Sequence, residues 1–505
     1  MLIPVRTGPA ALAREPGLRT QTVSPDLVLV LVLSAIGAAV RFATLGSQSY
    51  WLDEATTVHD ISFSLGGLLH QVHVNETTPP LYFIVVWLWA KVFGTGEVAL
   101  RSFSALCGIG LIPVAYLCGR ELVSRAAGLV AALLVALSPF MIWYSQEARA
   151  YALFALLSGL SFLFFAKAWR RTTRANLIWW SVFSALAILT HFFAGFLVAA
   201  EAILLLYRAR SRAVLAASGA VAVVQLAVLP MAIGDTSHPL GWIQAFPLSV
   251  RIKQVPVDFA LSTLYQSSLV TQGLLGAAVV GAIALALLAF GAERFQRRGA
   301  ALAAAVAAAV VLVPLVLSWL GRDYYVPRNL IGAWVPLAVV LGAACTAPRA
   351  RIAGAAFGAL LLAGFFYAGI RIDRNAQYQR PNWRGVAQAL GNPAAGTRAI
   401  VAYDGDFAAQ PLAVYVRGVP WPPGSGRAVR AQEVDVIGSA WQTPAATLPR
   451  GVRLLSRQSV DGFLVARFLV EPARSLTPAA LGAQAGALLP PSPPAPSVLI
   501  QRGSA

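Results

Sequence analysis

The sequence predicts an all-α polytopic membrane domain followed by a small α/β domain, and three observations predict it. Of 505 residues, 58% are hydrophobic and 12% are charged, about half the charged share of an ordinary soluble chain. Apolar runs of roughly 20 residues, long enough to cross a bilayer, recur from Asp26–Leu45 to Arg351–Ile370. Beyond residue 370 the charge density becomes ordinary and the runs become short and β-rich.

Eleven segments are read as spans: 26–45, 99–119, 126–144, 149–168, 175–190, 192–207, 213–233, 272–291, 300–320, 327–346 and 351–370. Basic clusters alternate between them. Arg120/Arg125, Lys167/Arg170/Arg171/Arg174, Arg208/Arg210/Arg212, Arg294/Arg297/Arg298 and Arg349/Arg351 fall on one side with the N-terminal tail 1–25. Positive loops mark the cytoplasm. Counting Pro79–Phe93 as a crossing inverts every later loop, so this segment reads as a short interfacial helix. The loops 46–98, 145–148, 234–271 and 321–326, and everything after about 371, then lie outside. That is the topology of a multi-pass protein of the inner (plasma) membrane.

The excess of 39 Lys+Arg over 21 Asp+Glu, +18 in all, is accounted for by cytoplasmic loops and does not call for nucleic acid. Cys107, Cys118 and Cys345 fall inside apolar spans without ligand spacing, which excludes a disulfide framework or zinc site as the organising feature. Arg6, Arg14 and Arg19 precede an apolar run too long for a cleaved signal peptide, so a retained first helix is expected.

The extracytoplasmic domain is expected over 371–474. Its strands are read at Ala399–Tyr403, Val452–Leu455 and Phe463–Val470, with Gln410–Val416 as helix or strand. From about Ser475 to 505 the chain is rich in Pro, Ala and Gly and reads as a disordered tail. No internal repeat is evident.

Ionisable groups at a membrane boundary are costly and mark candidate sites. Asp53 and Glu54 follow the first span within Tyr50-Trp51-Leu52-Asp53-Glu54-Ala55. The same pair also reads as a helix start, with Asp53 capping a helix through about Leu69. Three further clusters lie on the same side. His73 to Pro80 contains Glu76 and paired prolines that stiffen the turn. The short turn Trp143 to Tyr151 contains Glu147 and Arg149, which equally suit a mutual ion pair. Gly321 to Asn329 contains Tyr324, Tyr325 and Arg328, and an interfacial arginine can simply snorkel. His191, in the hairpin Thr190-His191-Phe192-Phe193, is a minor candidate. Jointly these residues suggest one site with a carboxylate for base work and arginines for a phosphate-like anion.

The arrangement resembles the GT-C superfamily of membrane glycosyltransferases. It is most similar to the group of protein O-mannosyltransferases and lipid A aminoarabinose transferases. The residues that carry the likeness, over roughly 26–390, begin with Tyr50-Trp51-Leu52-Asp53-Glu54 and Thr78-Pro79-Pro80-Leu81-Tyr82-Phe83. Gly94–Ser104, Ser138-Pro139, Tyr144-Ser145-Gln146-Glu147-Ala148-Arg149, Val326-Pro327-Arg328-Asn329-Leu330 and Asn382-Trp383-Arg384 follow in order. The resemblance implies that Asp53 is the general base. An acceptor hydroxyl would attack a mannose- or pentose-like sugar on a polyprenyl phosphate, with inversion. It further implies that Glu54 shapes the site or orients the acceptor, and that Arg149 and Arg328 hold the phosphate. The acceptor would be a glycan, a lipid or a protein.

Two departures stand out. Thr77-Thr78 replace the basic residue or histidine that some relatives carry before the paired prolines. Asn329 stands where an aromatic usually follows the arginine, with Tyr324 or Tyr325 as its expected substitute. A transporter or flippase of a lipid-linked sugar is the competing class. It would call for repeat symmetry and helices broken at mid-membrane, whereas Pro230, Pro314 and Pro336 are scattered. An inactive scaffold of the same fold is a third reading, against which Asp53 argues. No cofactor is required by this chemistry; Asp53, Glu54, His73 and Glu76 could supply ligands to a divalent metal, although their spacing matches no specific site.

Overall fold

The computed structural model describes residues 24–502 apart from 77, 234–242, 244, 263–269, 395, 404–405, 422–427 and 492–495. The expected cytoplasmic tail up to residue 23, Thr77 and parts of the 234–271 loop therefore lie outside the described residues.

Helix α1 (Pro25–Ala43) starts on a Ser24 cap with Pro25 in the first turn, a position that needs no N–H. The first loop folds as α2 (Leu52–Asp60), α3 (Leu65–Asn75) and α4 (Leu81–Phe93). At 13 residues α4 is about 20 Å long, short of a hydrocarbon core of about 30 Å. The bundle continues through α5 (Glu97–Leu122), α6 (Arg125–Leu137), α7 (Pro139–Ser145), α8 (Tyr151–Arg170), α9 (Arg174–Thr190), α10 (Ala194–Arg208) and α11 (Arg212–Ile233). It closes with α12 (Leu248–Leu261), α13 (Val270–Ala286), α14 (Arg294–Trp319), α15 (Trp334–Cys345) and α16 (Arg351–Arg374). Among the described residues eight helices are by themselves long and apolar enough to cross a membrane, and the bent pair α6–α7 makes a ninth. Helices α9 and α10, of 17 and 15 residues, complete the correspondence with the eleven expected segments.

Two local devices shape the part of the bundle that matters for the site. Helices α5 and α6 touch backbone to backbone: a Cβ on Gly128 would lie 2.4 Å from the Tyr116 carbonyl oxygen, so only glycine fits. At Ser138-Pro139 the chain bends by 57° between α6 and α7, because proline has no N–H to continue the ladder. Carbonyls freed at the bend accept from the fully buried Arg41, which reaches Val135 O at 3.0 Å and Ala136 O at 2.9 Å. Arg41 also donates to Ser145 Oγ at 3.1 Å, and its carbonyl accepts from Gln146 Nε2 at 2.8 Å. The turn that carries Glu147 and Arg149 is thereby tied to the end of α1.

The C-terminal domain is a five-stranded sheet of order β3-β4-β2-β1-β5, with β1 (Arg398–Ala402), β2 (Val429–Ser439), β3 (Val452–Val460), β4 (Phe463–Leu476) and β5 (Ser497–Gln501). Strands β1 and β2 are parallel and the other pairs antiparallel. Helices α17 (Trp383–Leu390), α18 (Asp406–Tyr415) and α19 (Pro478–Leu488) complete it. The expected disordered tail is thus corrected. Thr477 caps α19, whose Leu481, Ala485 and Leu488 form one fully buried stripe, and β5 pairs with the edge of β1. Proline and alanine content hid a stripe at helical spacing that buries apolar surface against the sheet. The domain accordingly runs to Gln501 instead of 474, and residues 371–374 belong to α16.

The domain rests on the first loop. Arg384 donates to the carbonyls of Gly46 and Ser47 and pairs with Glu97 at 2.5 Å. The Tyr415 hydroxyl donates to Glu97 and accepts from the Tyr50 N–H at 2.7 Å. Thr56 on α2 donates to Gln410 on α18 at 3.1 Å.

Candidate active site

Adjacent residues of a helix point about 100° apart, and α2 uses this to send its two acids to different partners. Its N-cap is Trp51, without a side-chain cap bond, and the helix ends at Asp60. The expectation of Asp53 as cap of a helix through about Leu69 is therefore corrected. Both acids sit in the first turn, where the helix dipole favours them.

Glu54 turns inward and is fully buried. Arg101 grips it bidentately at 2.8 and 2.7 Å, and the Ala148 N–H donates to it at 2.9 Å. Arg101 also donates to the carbonyls of Leu45, Gln48 and Ser49. Burial alone would raise the Glu54 carboxyl, but Arg101, then Arg380 and the Ala148 N–H, hold it below its ordinary value. With its oxygens so occupied, Glu54 fixes the loop that presents Asp53.

Asp53 turns the other way. Its Oδ2 accepts from Arg328 Nη1 at 2.9 Å, and both side chains keep about a fifth of their surface exposed, 21% each. Arg328 lies over the rings of Trp51 and Tyr151, at 5.7 and 5.6 Å. Those rings give Arg328 aromatic surroundings. In the neighbouring loop the Tyr324 carbonyl accepts from Asn329 at 3.0 Å, and the Tyr325 carbonyl accepts from Arg251 at 2.9 Å.

Arg149 and Glu76 do come together, as a bidentate pair at 2.6 and 2.8 Å, with Arg149 also donating to Asp53 O and Thr57 Oγ1. Arg149 is 8% exposed, and its fork is taken by Glu76. It buttresses α2 through the Asp53 carbonyl and Thr57. The alternative Glu147–Arg149 pairing is replaced, since Glu147 accepts from Arg380 at 3.2 Å. The other Glu147 oxygen is buried without a partner. Burial first, offset in part by Arg380, pushes this carboxyl up to about 7. His191 is a packed ring, 3% exposed, stacked on Phe154 at 4.7 Å and accepting from the Phe193 N–H at 3.3 Å. Burial, with Arg328 and Arg149 nearby, pushes it down to about 3, so it is neutral.

Asp60, at the far end of α2, was not singled out from sequence. It is fully buried, and neither of its oxygens has a hydrogen-bond partner. Burial, then Glu76, raises its carboxyl to about 7, against the pull of Arg149. A raised folded-state pKa means that stability falls as pH climbs from 3.8 to about 7 and is level above. Asp60→Asn escapes that loss. Its thermal midpoint relative to the parent should therefore climb over the same window and then plateau, with a gain on the order of 2 kcal/mol. Midpoints taken in detergent from pH 4 to 8 check this, and a constant offset across the window contradicts it.

Among the described residues no cluster of three His, Cys, Asp or Glu is placed to hold a metal.

The geometry invites comparison with known proteins. Residues 77–233 match the family model described as dolichyl-phosphate-mannose-protein mannosyltransferase. An uncharacterized protein of Aquifex aeolicus (strain VF5) is 30% identical over 182 residues, 34% of this chain and 35% of the relative, so the match spans about a third of that protein. The apo crystal structure of ArnT from Cupriavidus metallidurans superposes with a TM-score of 0.53, covering 88% of this chain and 98% of that one at 15% identity. The chain has the GT-C fold. The undecaprenyl-phosphate-bound structure of the same ArnT gives a TM-score of 0.48 at 14% identity, covering 87% and 97%.

Within this GT-C fold, Asp53 and Arg328 come from sequence positions 275 residues apart, and the bundle is what joins them. Arg101 and Arg380 went unremarked in the sequence. Arg101 lies inside the Gly94–Ser104 motif, whereas Arg380 lies two residues before Asn382-Trp383-Arg384, outside every motif read from the sequence.

Proposed function

We propose that the chain is a membrane glycosyltransferase moving a sugar from a polyprenyl-phosphate donor to an acceptor hydroxyl on the extracytoplasmic face, with inversion. The observation that carries the reading is the Asp53–Arg328 pair: a part-exposed carboxylate and a guanidinium 2.9 Å apart, framed by Trp51 and Tyr151. The family model over 77–233, with its phosphate-linked mannose donor, supports the same chemistry.

In this reading the lipid phosphate takes Arg328 from Asp53, because an arginine fork binds a dianionic or monoanionic phosphate as well as it binds a carboxylate. Asp53 is then released to accept a proton. The acceptor oxygen attacks the anomeric carbon, and the bond from that carbon to the phosphate oxygen breaks. The hydroxyl proton passes to Asp53 and the electron pair leaves with the polyprenyl phosphate. Attack opposite the leaving group inverts the anomeric centre. Arg328 meets the negative charge that grows on the leaving phosphate, where a fixed cation is most useful. The pairing also keeps the base engaged until a donor arrives. The sugar is mannose- or pentose-like in this proposal, and the carrier is of the bacterial polyprenyl type.

Exchange of one anion for another makes a prediction with opposite signs. Arg328→Gln should weaken binding of bare polyprenyl phosphate by at least about tenfold, or about 1.4 kcal/mol. Asp53→Asn, which removes the competing carboxylate, should leave that affinity unchanged or tighten it. Titration of purified protein in detergent with polyprenyl phosphate reads both. Unaltered affinity in Arg328→Gln would refute the assignment of the phosphate to this arginine.

A further inference from the structure

The C-terminal domain carries a hollow that neither the sequence reading nor the reaction above uses. It measures about 300 Å³, at the lower end of the roughly 300–1,000 Å³ of small-molecule sites. Tyr403, which follows β1, lines it together with Ser439, the last residue of β2, and Trp441 and Gln442 just beyond. Strands β1 and β2 are the parallel pair of the sheet. The hollow therefore lies outside the carboxyl ends of parallel strands, where open α/β sheets hold their ligands. Trp383 of α17 and Phe463 of β4 complete its aromatic lining and pack on each other at 4.6 Å.

Its walls are held in place by hydrogen bonds. Gln442 folds back so that its Oε1 accepts from the Ser439 N–H at 2.7 Å and its Nε2 donates to Pro491 O at 2.9 Å. The fold-back needs Gly438, where a Cβ would lie 2.2 Å from Gln442 Oε1. The Tyr403 hydroxyl donates to Ala485 O at 3.1 Å. Trp441 is the exception, for it stays 71% exposed and so offers a large ring to whatever enters from water. The hollow is also joined to the loop that carries Asp53. Asn382, next to Trp383, accepts from Ser49 Oγ at 3.2 Å and donates to Asp461 at 2.7 Å, two residues before Phe463. Ser49 precedes Asp53 by four residues, at most about 14 Å of extended chain.

Resting on the glycosyl-transfer reading, we infer that this hollow docks one ring of a neutral glycan acceptor, so that a hydroxyl elsewhere on the same glycan reaches Asp53. Among the described residues its lining carries no charge. Phosphates, nucleotides and acidic peptides are recognised by arginine and lysine, and none is offered here. A hydrocarbon tail would call for a wholly apolar wall, whereas Ser439 and Trp441 bring a hydroxyl and an indole N–H to an exposed rim. Flat rings with a few hydrogen-bonding groups between them match a ligand that has apolar C–H faces and many hydroxyls. A sugar ring without charge has both. The role is separate from that of Arg328, which addresses the donor phosphate.

The test is calorimetric titration of the full-length protein, in a detergent without a sugar headgroup, with mannotriose, maltotriose and arabinotriose. The wild type should bind at least one of them with millimolar or tighter affinity. Trp441→Ala should weaken that binding at least about tenfold, as loss of a central aromatic contact does, with an unchanged thermal midpoint. Trp319→Ala, which removes a tryptophan 82% exposed on α14, should bind the same sugar as the wild type does. No binding of any triose by the wild type, or equal binding by Trp441→Ala, would overturn the inference. So would binding of a peptide with the sequence of residues 490–496 in place of the sugars, which would assign the hollow to the chain's own proline-rich segment. Parallel titration with bare polyprenyl phosphate separates the two readings. Trioses bound without the lipid would keep the hollow as a glycan site and remove the glycosyl-transfer reading, and the lipid bound without any triose would do the reverse.

Discussion

Replacing Asp53 by Asn is expected to lower turnover by about 10²–10⁴-fold, the usual worth of a positioned general base. The substitution keeps the shape of the side chain and leaves an oxygen for Arg328, so packing around Trp51 and Tyr151 has no reason to change. What it removes is the capacity to take a proton from the attacking hydroxyl. The position of α2 does not depend on Asp53, since Arg101 holds Glu54 and Arg149 holds Thr57 and the Asp53 carbonyl. Loss of rate with retained thermal midpoint and retained polyprenyl-phosphate binding is therefore the expected combination. Steady-state release of sugar from a labelled lipid donor measures it. A rate within a few-fold of the parent moves the base elsewhere, and Glu147, whose Oε1 is unpartnered, is the next residue to test.

Arg101→Met should be the most damaging single change to stability. The pair Arg101–Glu54 is 1% and 0% exposed, and breaking a buried ion pair from one side typically costs about 3–5 kcal/mol. Here the same side chain also satisfies the carbonyls of Leu45, Gln48 and Ser49. Its removal orphans three acceptors as well as a carboxylate. The segment between α1 and α2 should loosen, and with it the seat of the C-terminal domain, which bonds to Gly46, Ser47 and Ser49. A large fall in thermal midpoint and in the yield of monodisperse protein from detergent is expected. A variant as stable as its parent contradicts the structural role assigned to this arginine.

Much of the membrane domain was legible because apolar length and loop charge act locally along the chain. Each of the eleven expected segments corresponds to a helix, and α4 is short as expected. The disordered tail was misread because composition was weighed and spacing was not, although Leu481, Ala485 and Leu488 carry a helical stripe. Strand β2 was missed for a related reason. Its core positions Glu433 and Asp435 are charged, and they are buried only because Arg398 and Arg467 pair with them from other strands. In the site, Asp53 and Arg328 stood out as polar residues beside aromatics at span ends. Which acid pairs with which arginine was not legible. Glu54 found Arg101, Glu76 found Arg149 and Glu147 found Arg380, and each choice is made by tertiary packing.

The central claim is that sugar arrives on a lipid phosphate, and a donor comparison tests it most directly. Purified wild-type protein would be incubated with radiolabelled polyprenyl-phosphate mannose, glucose and arabinose, and in parallel with the corresponding nucleotide sugars. The account predicts release of bare polyprenyl phosphate from at least one lipid-linked sugar and no consumption of nucleotide sugars. Consumption of a nucleotide sugar would contradict it. So would binding of the lipid-linked sugar with movement across a reconstituted bilayer and no cleavage, which would make the protein a transporter.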